Sequence, residues 1–147
     1  NFLLNDKIVE VKTFANKFAT DKTIYKYPDC VVTIAKFKSG VIGKFTSNFG
    51  CVYPHFHKIN VYGTKQTFES TALNTTLYKK RDKKITKKLR FKNNINKALI
   101  LNDFILSIKL KKNRKRYIDE VFNSLSVCFA IDKSYKENKN IKIDYLK

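Results

Sequence analysis

The sequence predicts an α+β fold: a mainly antiparallel open β-sheet with two longer helices packed on one face. Three observations carry that expectation. From Ile8 to Ser70 the apolar residues alternate in short runs set off by glycine, proline and polar residues, the pattern of strands with a buried face. From Ile95 to Asn138 the apolar residues fall at helical spacing instead. A short apolar run, Ile141–Leu146, then closes the chain as a final strand.

The first strand is predicted over Ile8–Phe18, where Val9, Val11 and Ala15 oppose Ile8, Glu10, Lys12 and Phe14, leaving at least one face wet. Thr20–Asp29, polar and holding Pro28, connects it to the stretch that organises the rest, Cys30–Gly63. There Cys30–Phe37, Val41–Phe49 and His57–Tyr62 are separated by Lys38-Ser39-Gly40 and by residues 50–54, and read as a three-stranded antiparallel meander. In Cys30–Phe37 both faces are largely apolar, which makes that strand central. The next is mixed, with Val41, Gly43, Phe45, Ser47 and Phe49 against Ile42, Lys44, Thr46 and Asn48, and one of its faces can be open to solvent, ligand or a second subunit.

Residues 63–66 form a turn, and Thr67–Ser70, Thr75–Tyr78 and Ile85–Phe91 extend the sheet, with the lysine run from Lys79 as a loop or hairpin tip. Ile95–Lys111 places Ala98, Leu101, Ile105 and Ile108 on one stripe, and Ile118–Asn138 places Val121, Phe122, Leu125, Cys128 and Phe129 on another. Each stripe is expected to face the sheet. Asp119 and Glu120 would stand near the positive end of the second helix, Lys133 and Lys136 near its negative end. Ser124, Ser126 and Ala130 would permit close approach to neighbouring backbone.

A chain of 147 residues, 43% hydrophobic and 14% aromatic, suits a single domain, 1–147, with a real core. It contains no methionine and begins at Asn1, as a fragment would. No secretion signal and no membrane-spanning run occurs, so the expected location is the cytoplasm, with no membrane partner. Cys30, Cys51 and Cys128 make no CxxC pair, so neither a disulfide framework nor a zinc knuckle follows. The charge is the loudest signal: 31 Lys and Arg against 12 Asp and Glu give +19. Such an excess suits nucleic acid, but it is spread along the whole chain and no recognition-helix or RNP-type pattern accompanies it. A basic nucleic-acid-binding domain is therefore the less favoured reading.

IVEVKTFANKF, then PDCVVTIAKFKSGVIGKFTSNFG, HFHKINVYGTKQTFES and DEVFNSLSVCFAIDKSYKENKNIKI resemble, in that order, the C-terminal domain of the Gfo/Idh/MocA oxidoreductases. The resemblance covers nearly the whole chain and is weakest over residues 79–96. It implies half of a two-domain enzyme acting on sugars or nucleotide sugars. An N-terminal Rossmann domain, absent from these residues, would hold NAD or NADP, and no cofactor is expected for this chain alone. The open sheet face would line the substrate site and build a homo-oligomer.

The departures from the family pattern are specific. The glycines are Gly40, Gly43, Gly50 and Gly63, so no GxGxxG turn exists. The family's Glu-Lys-Pro lysine has no counterpart, and its Asp-x-x-x-His helix would precede Asn1. No residue here is assigned to hydride transfer. Gln66 stands where the family has glycine, which points either to a changed turn or to a relic under weak selection.

Within that resemblance the substrate-facing candidates are Asn48, Tyr53, His55, His57, Lys44 and Lys58. Amide, phenol and imidazole groups suit sugar hydroxyls, and the lysines suit a nucleotide-sugar phosphate. His55 and His57 at strand spacing offer two metal-ligating nitrogens, but with no cysteine or carboxylate beside them they make a poor metal set, and no metal is expected. Glu69 and Asp132 read as isolated carboxylates. The alternative to an enzyme half is a vestigial or repurposed interaction module that self-associates through its open sheet face.

Overall fold

The computed structural model describes residues 4–81, 86–89, 97–111 and 114–146. It is α+β, with two antiparallel four-stranded sheets and two helices. The chain divides into two compact units, one made of Asn1–Cys51 and Leu110–Lys147, the other of Val52–Lys109.

In the first unit, β1 (Ile8–Asn16), β2 (Cys30–Phe37), β3 (Ile42–Asn48) and β8 (Ile141–Lys142) form a sheet in the order β3-β2-β1-β8. β2 is central, as its two apolar faces predict. It turns into β3 through Lys38-Ser39-Gly40, where Gly40 N–H donates to Phe37 O at 3.0 Å and Gly40 takes a φ of +90°, a left-handed turn position that glycine suits. Asp6 fastens this turn by accepting both the N–H and the hydroxyl of Ser39, at 3.1 and 2.5 Å.

α2 (Lys115–Glu137) covers one face of this sheet. The core is Ile8, Val11, Ala35, Phe37, Val127 and Ala130, edged by Ile131, Ile141, Ile143 and Tyr145. Two expectations are corrected here. Alternation groups Val9 with Val11, but the ladder slips between Ile8 and Glu10, so Ile8 pairs with Phe37 and Val11 with Ala35. Val9 is the extra residue of a bulge, and Ile8 and Val11 both reach the core while Val9 is exposed.

The second correction concerns α2. Val121, Phe122, Leu125, Cys128 and Phe129 are exposed, and the face against the sheet is Ser126, Val127, Ala130 and Ser134. Backbone separation explains the choice. Thr13, Thr33 and Ala35 make a low sheet surface that small helix residues can approach closely, and Ser134 Oγ accepts the Thr13 N–H at 2.9 Å. The larger side chains would hold the helix too far out for that bond. The helix also begins at Lys115, earlier than its apolar spacing suggests, so Asp119 and Glu120 lie beyond its first turn.

In the second unit, β4 (Ile59–Tyr62), β5 (Thr67–Ser70), β6 (Thr75–Tyr78) and β7 (Thr86–Leu89) form an antiparallel meander in chain order. The predicted meander over Cys30–Gly63 is thereby overturned in its third strand. β4 pairs with β5, not β3. Ten residues, 49–58, separate β3 from β4, whereas Gly63–Gln66 closes β4 onto β5 with a Gly63 N–H to Gln66 O bond of 3.0 Å, and the shorter loop is entropically cheaper to close. Gln66 is not among the positive-φ residues, so the turn holds it without a left-handed backbone. A β-carbon on Gly63 would stand 2.7 Å from Gln66 O, so the close approach falls at Gly63 instead.

α1 (Lys97–Lys109) also lies in this unit. Leu101, Ile105 and Ile108 of its predicted stripe are exposed, and Ser107 is its buried side chain. Residues 82–85 of the lysine run, with Arg90 and Phe91 of the predicted strand, lie outside the described residues.

Candidate functional site

Cross-strand register defines the open face of the first sheet. Asn16, Cys30 and Asn48 form one row, Phe14, Val32 and Thr46 the next, then Lys12, Ile34 and Lys44, and last Glu10, Lys36 and Ile42. Phe14, Ile34 and Ile42 are exposed there, so an apolar ridge runs between lysines. Lys12 is fixed: its Nζ donates to Asn138 O at 2.6 Å and Asn138 Oδ1 at 2.9 Å, and lies 5.2 Å from the centre of the Phe14 ring. Asn138 ends α2 in the left-handed conformation, so Lys12 places a cation at the negative end of that helix.

Of the predicted substrate-facing residues, Lys44 and Asn48 share this face, two rows apart and exposed. Asn48 Oδ1 accepts the Gly50 N–H at 2.9 Å in an Asx turn, which occupies part of its bonding capacity. Tyr53, His55, His57 and Lys58 belong to the second unit, on the exposed segment that leads into β4. His55 and His57 meet edge to face, with ring centres 5.1 Å apart. Among the described residues no group of three or more His, Cys, Asp or Glu side chains is arranged to hold a metal ion.

Alternation in the second sheet leaves one face polar, carrying Asn60, Tyr62, Thr67, Glu69, Thr76, Tyr78 and Lys88. Asn60 Nδ2 donates to Tyr62 Oη at 3.0 Å, and Tyr78 Oη donates to Glu69 Oε2 at 3.1 Å. Glu69 is thus not an isolated carboxylate, and nor is Asp132, which accepts from Lys136 Nζ at 2.6 Å. The Glu69 bond raises the Tyr78 phenol above its ordinary 10.0, because the neutral hydroxyl is the form that can donate. Sequence reading missed this pair, since residues nine apart meet only once the β5–β6 hairpin sets the register.

The residues do not fit a dinucleotide. Gly40 and Gly63 sit in hairpin turns, Gly43 within β3 and Gly50 just beyond it, so none lies at a strand-to-helix junction where a pyrophosphate would rest on a helix N-terminus.

No protein-family model matches the sequence, and comparison with curated proteins finds no match. Solved structures do match. An aldose-aldose oxidoreductase from Caulobacter crescentus complexed with glycerol superposes with a TM-score of 0.76 at 16% identity, over 97% of this chain and 43% of that one. A levoglucosan dehydrogenase, complexed with NADH and levoglucosan, gives 0.73 at 11% identity, over 95% and 46%. The WlbA dehydrogenase from Bordetella pertussis, complexed with NADH and UDP-GlcNAcA, gives 0.65 at 17%, over 95% and 41%. The chain spans less than half the length of these structures. Nearly all of it therefore has the fold of one part of these oxidoreductases, as its resemblance to the Gfo/Idh/MocA C-terminal domain predicts.

Proposed function

We propose that this chain is the substrate-facing and oligomer-forming part of an NAD(P)-dependent oxidoreductase acting on a sugar or nucleotide sugar in the cytoplasm. In this reading residues 1–147 make one C-terminal-type domain, inactive alone, and the Rossmann domain that holds NAD or NADP is supplied by other residues. The observation that carries it is the asymmetry of the structural match: 97% of this chain lies on 43% of an aldose-aldose oxidoreductase. The absence of a glycine-rich phosphate turn here agrees with the cofactor being held elsewhere. Asn48, Tyr53, His55 and His57 are the proposed hydroxyl partners, with Lys44 and Lys58 for a phosphate. Calorimetry tests the division of labour. A nucleotide sugar should bind weakly and NAD(P)H should not bind, and tight dinucleotide binding by this chain would overturn the reading.

The open face of the first sheet favours a second reading, a self-associating module without enzymatic role. Its ridge of Phe14, Ile34 and Ile42 between lysines is the composition of an interface core with a polar rim. Both readings expect a dimer. Ile34→Glu should dissociate it, and a strict monomer at high concentration by light scattering would defeat the interface in either form. Nucleotide-sugar binding separates the two.

A further inference from the structure

At one end of the first sheet β1 stops at Asn16, β2 starts at Cys30 and β3 stops at Asn48, and these three residues stand side by side. The loop 17–29 and the residues just past β3 therefore crown the same end. They are fastened there. Asp29 N–H donates to Asn16 O at 3.0 Å, and Phe49 N–H donates to Asp29 O at 2.8 Å. The buried Asp29 carboxylate accepts the Thr20 N–H at 2.7 Å and its hydroxyl at 2.9 Å. Gly50 lies so close that a β-carbon on it would stand 2.3 Å from Ala19 Cβ.

On this base Phe18, Ile24 and Phe49 are 90%, 93% and 79% exposed, and Tyr25 and Tyr27 are exposed beside them in the same loop. Isolated exposed apolar side chains are ordinary, but here four fall within one short loop and the fifth just past β3, at the same end of the sheet. Lys22 and Lys26 alternate with them and are exposed, with Lys17 half-buried at the loop's start. Because the Asp29 carboxylate is turned inward, Asp21 is the one acid set against these three lysines in residues 17–28.

We propose that this end of the sheet docks on the surface of an anionic lipid bilayer. Phe18, Ile24 and Phe49 enter the boundary between headgroups and acyl chains, Tyr25 and Tyr27 stay at headgroup level, and Lys22 and Lys26 meet the anionic headgroups. Ile24 favours a bilayer over single-stranded nucleic acid as the occupant, since an aliphatic tip offers no ring face for a base to stack on, yet gains fully by leaving water. The attachment is peripheral: no described helix is long and apolar enough to cross a membrane. The sequence-based expectation of no membrane partner is revised in this respect alone.

Flotation of the full chain with vesicles tests the proposal. Phosphatidylcholine vesicles containing about 30% phosphatidylserine should carry the protein, and phosphatidylcholine alone should not. Phe18→Ser, Ile24→Ser and Phe49→Ser together should lower vesicle binding about tenfold or more, and Ile24→Ser alone should lower it measurably. The unchanged circular dichroism expected for such exposed sites separates this loss from misfolding. Lys22→Gln with Lys26→Gln should abolish the preference for phosphatidylserine. Lys87→Gln with Lys88→Gln, exposed lysines of β7 and the same change in charge, should leave it intact. The proposal is overturned if no protein floats, if the apolar triple variant floats like the parent, or if the β7 control loses as much as the loop variant. Loss of oligouridylate binding in the triple variant with vesicle binding retained would equally overturn it, in favour of nucleic acid.

Discussion

Ser134 Oγ on α2 accepts the backbone N–H of Thr13 on β1 at 2.9 Å and donates its own hydroxyl hydrogen bond to Lys139 O at 2.7 Å. β8 pairs only with Glu10 and Val11, so the ladder on that side of β1 stops short of Thr13. A helix hydroxyl completes what the two-residue strand leaves undone. Ser134→Ala removes no volume that packing depends on, yet strands a buried N–H, and should cost about 1–3 kcal/mol in urea denaturation.

Beneath that contact Thr13 Oγ1 and Thr33 Oγ1 lie 3.0 Å apart, both buried, directly across the β1–β2 ladder. Replacing one by valine leaves the other hydroxyl without this partner. Thr33→Val should therefore destabilise by about 1–2 kcal/mol, while Thr13→Val with Thr33→Val should recover most of the loss. A double variant that costs the sum of the two single variants in the same denaturation series would refute a coupled pair.

Gly50→Ala places a methyl group 2.3 Å from Ala19 Cβ, against backbone tied down through Asp29. The loop 17–29 must shift. We expect a loss of about 1–3 kcal/mol by thermal or chemical unfolding. Gly50→Ala with Ala19→Gly relieves the overlap and should restore part of it.

The Ser39 hydroxyl and N–H hold the Asp6 carboxyl below its ordinary 3.8. A carboxyl lowered by folding stabilises the native state above its unfolded value, and that contribution is lost as pH falls through the lower folded value. Carboxyl NMR titration should place Asp6 below 3.8, and Ser39→Ala should move it up toward the ordinary value. A midpoint indifferent to Ser39→Ala would disprove the assigned cause.

For Tyr78 the sign is reversed. Its phenol is raised above 10.0 by donation to Glu69, so the contribution is complete below the unfolded value and disappears as pH rises through the folded one. Ultraviolet titration should show the tyrosinate of Tyr78 forming late, and Glu69→Gln should bring it back toward 10.0. An unshifted late titration in Glu69→Gln would mean that burial, not the hydrogen bond, holds the proton.

Local chemistry, readable in the chain, determined where most elements lie. Thr67–Ser70 and Thr75–Tyr78 are strands as their alternation predicts, Cys30–Phe37 is central, Gly40 makes the turn, and both helices occupy the stretches of helical period. The shared face of Lys44 and Asn48 follows from alternation alone, and the spacing of His55 and His57 foretells that their rings can meet.

Tertiary structure decided which surfaces these elements present to one another. Whether α2 turns its large or its small stripe inward depends on how low the sheet beneath it is, which Thr13, Thr33 and Ala35 settle only after β1 and β2 are paired. The bulge at Val9, the transfer of β4 to the second sheet and the meeting of Glu69 with Tyr78 are matters of register and loop closure. Periodicity along one segment carries no information about its partner's register. The sequence by itself therefore determined the elements and the resemblance they carry, and packing between strands and helix determined which side chains are core and which remain exposed for a ligand, a second copy or a lipid surface.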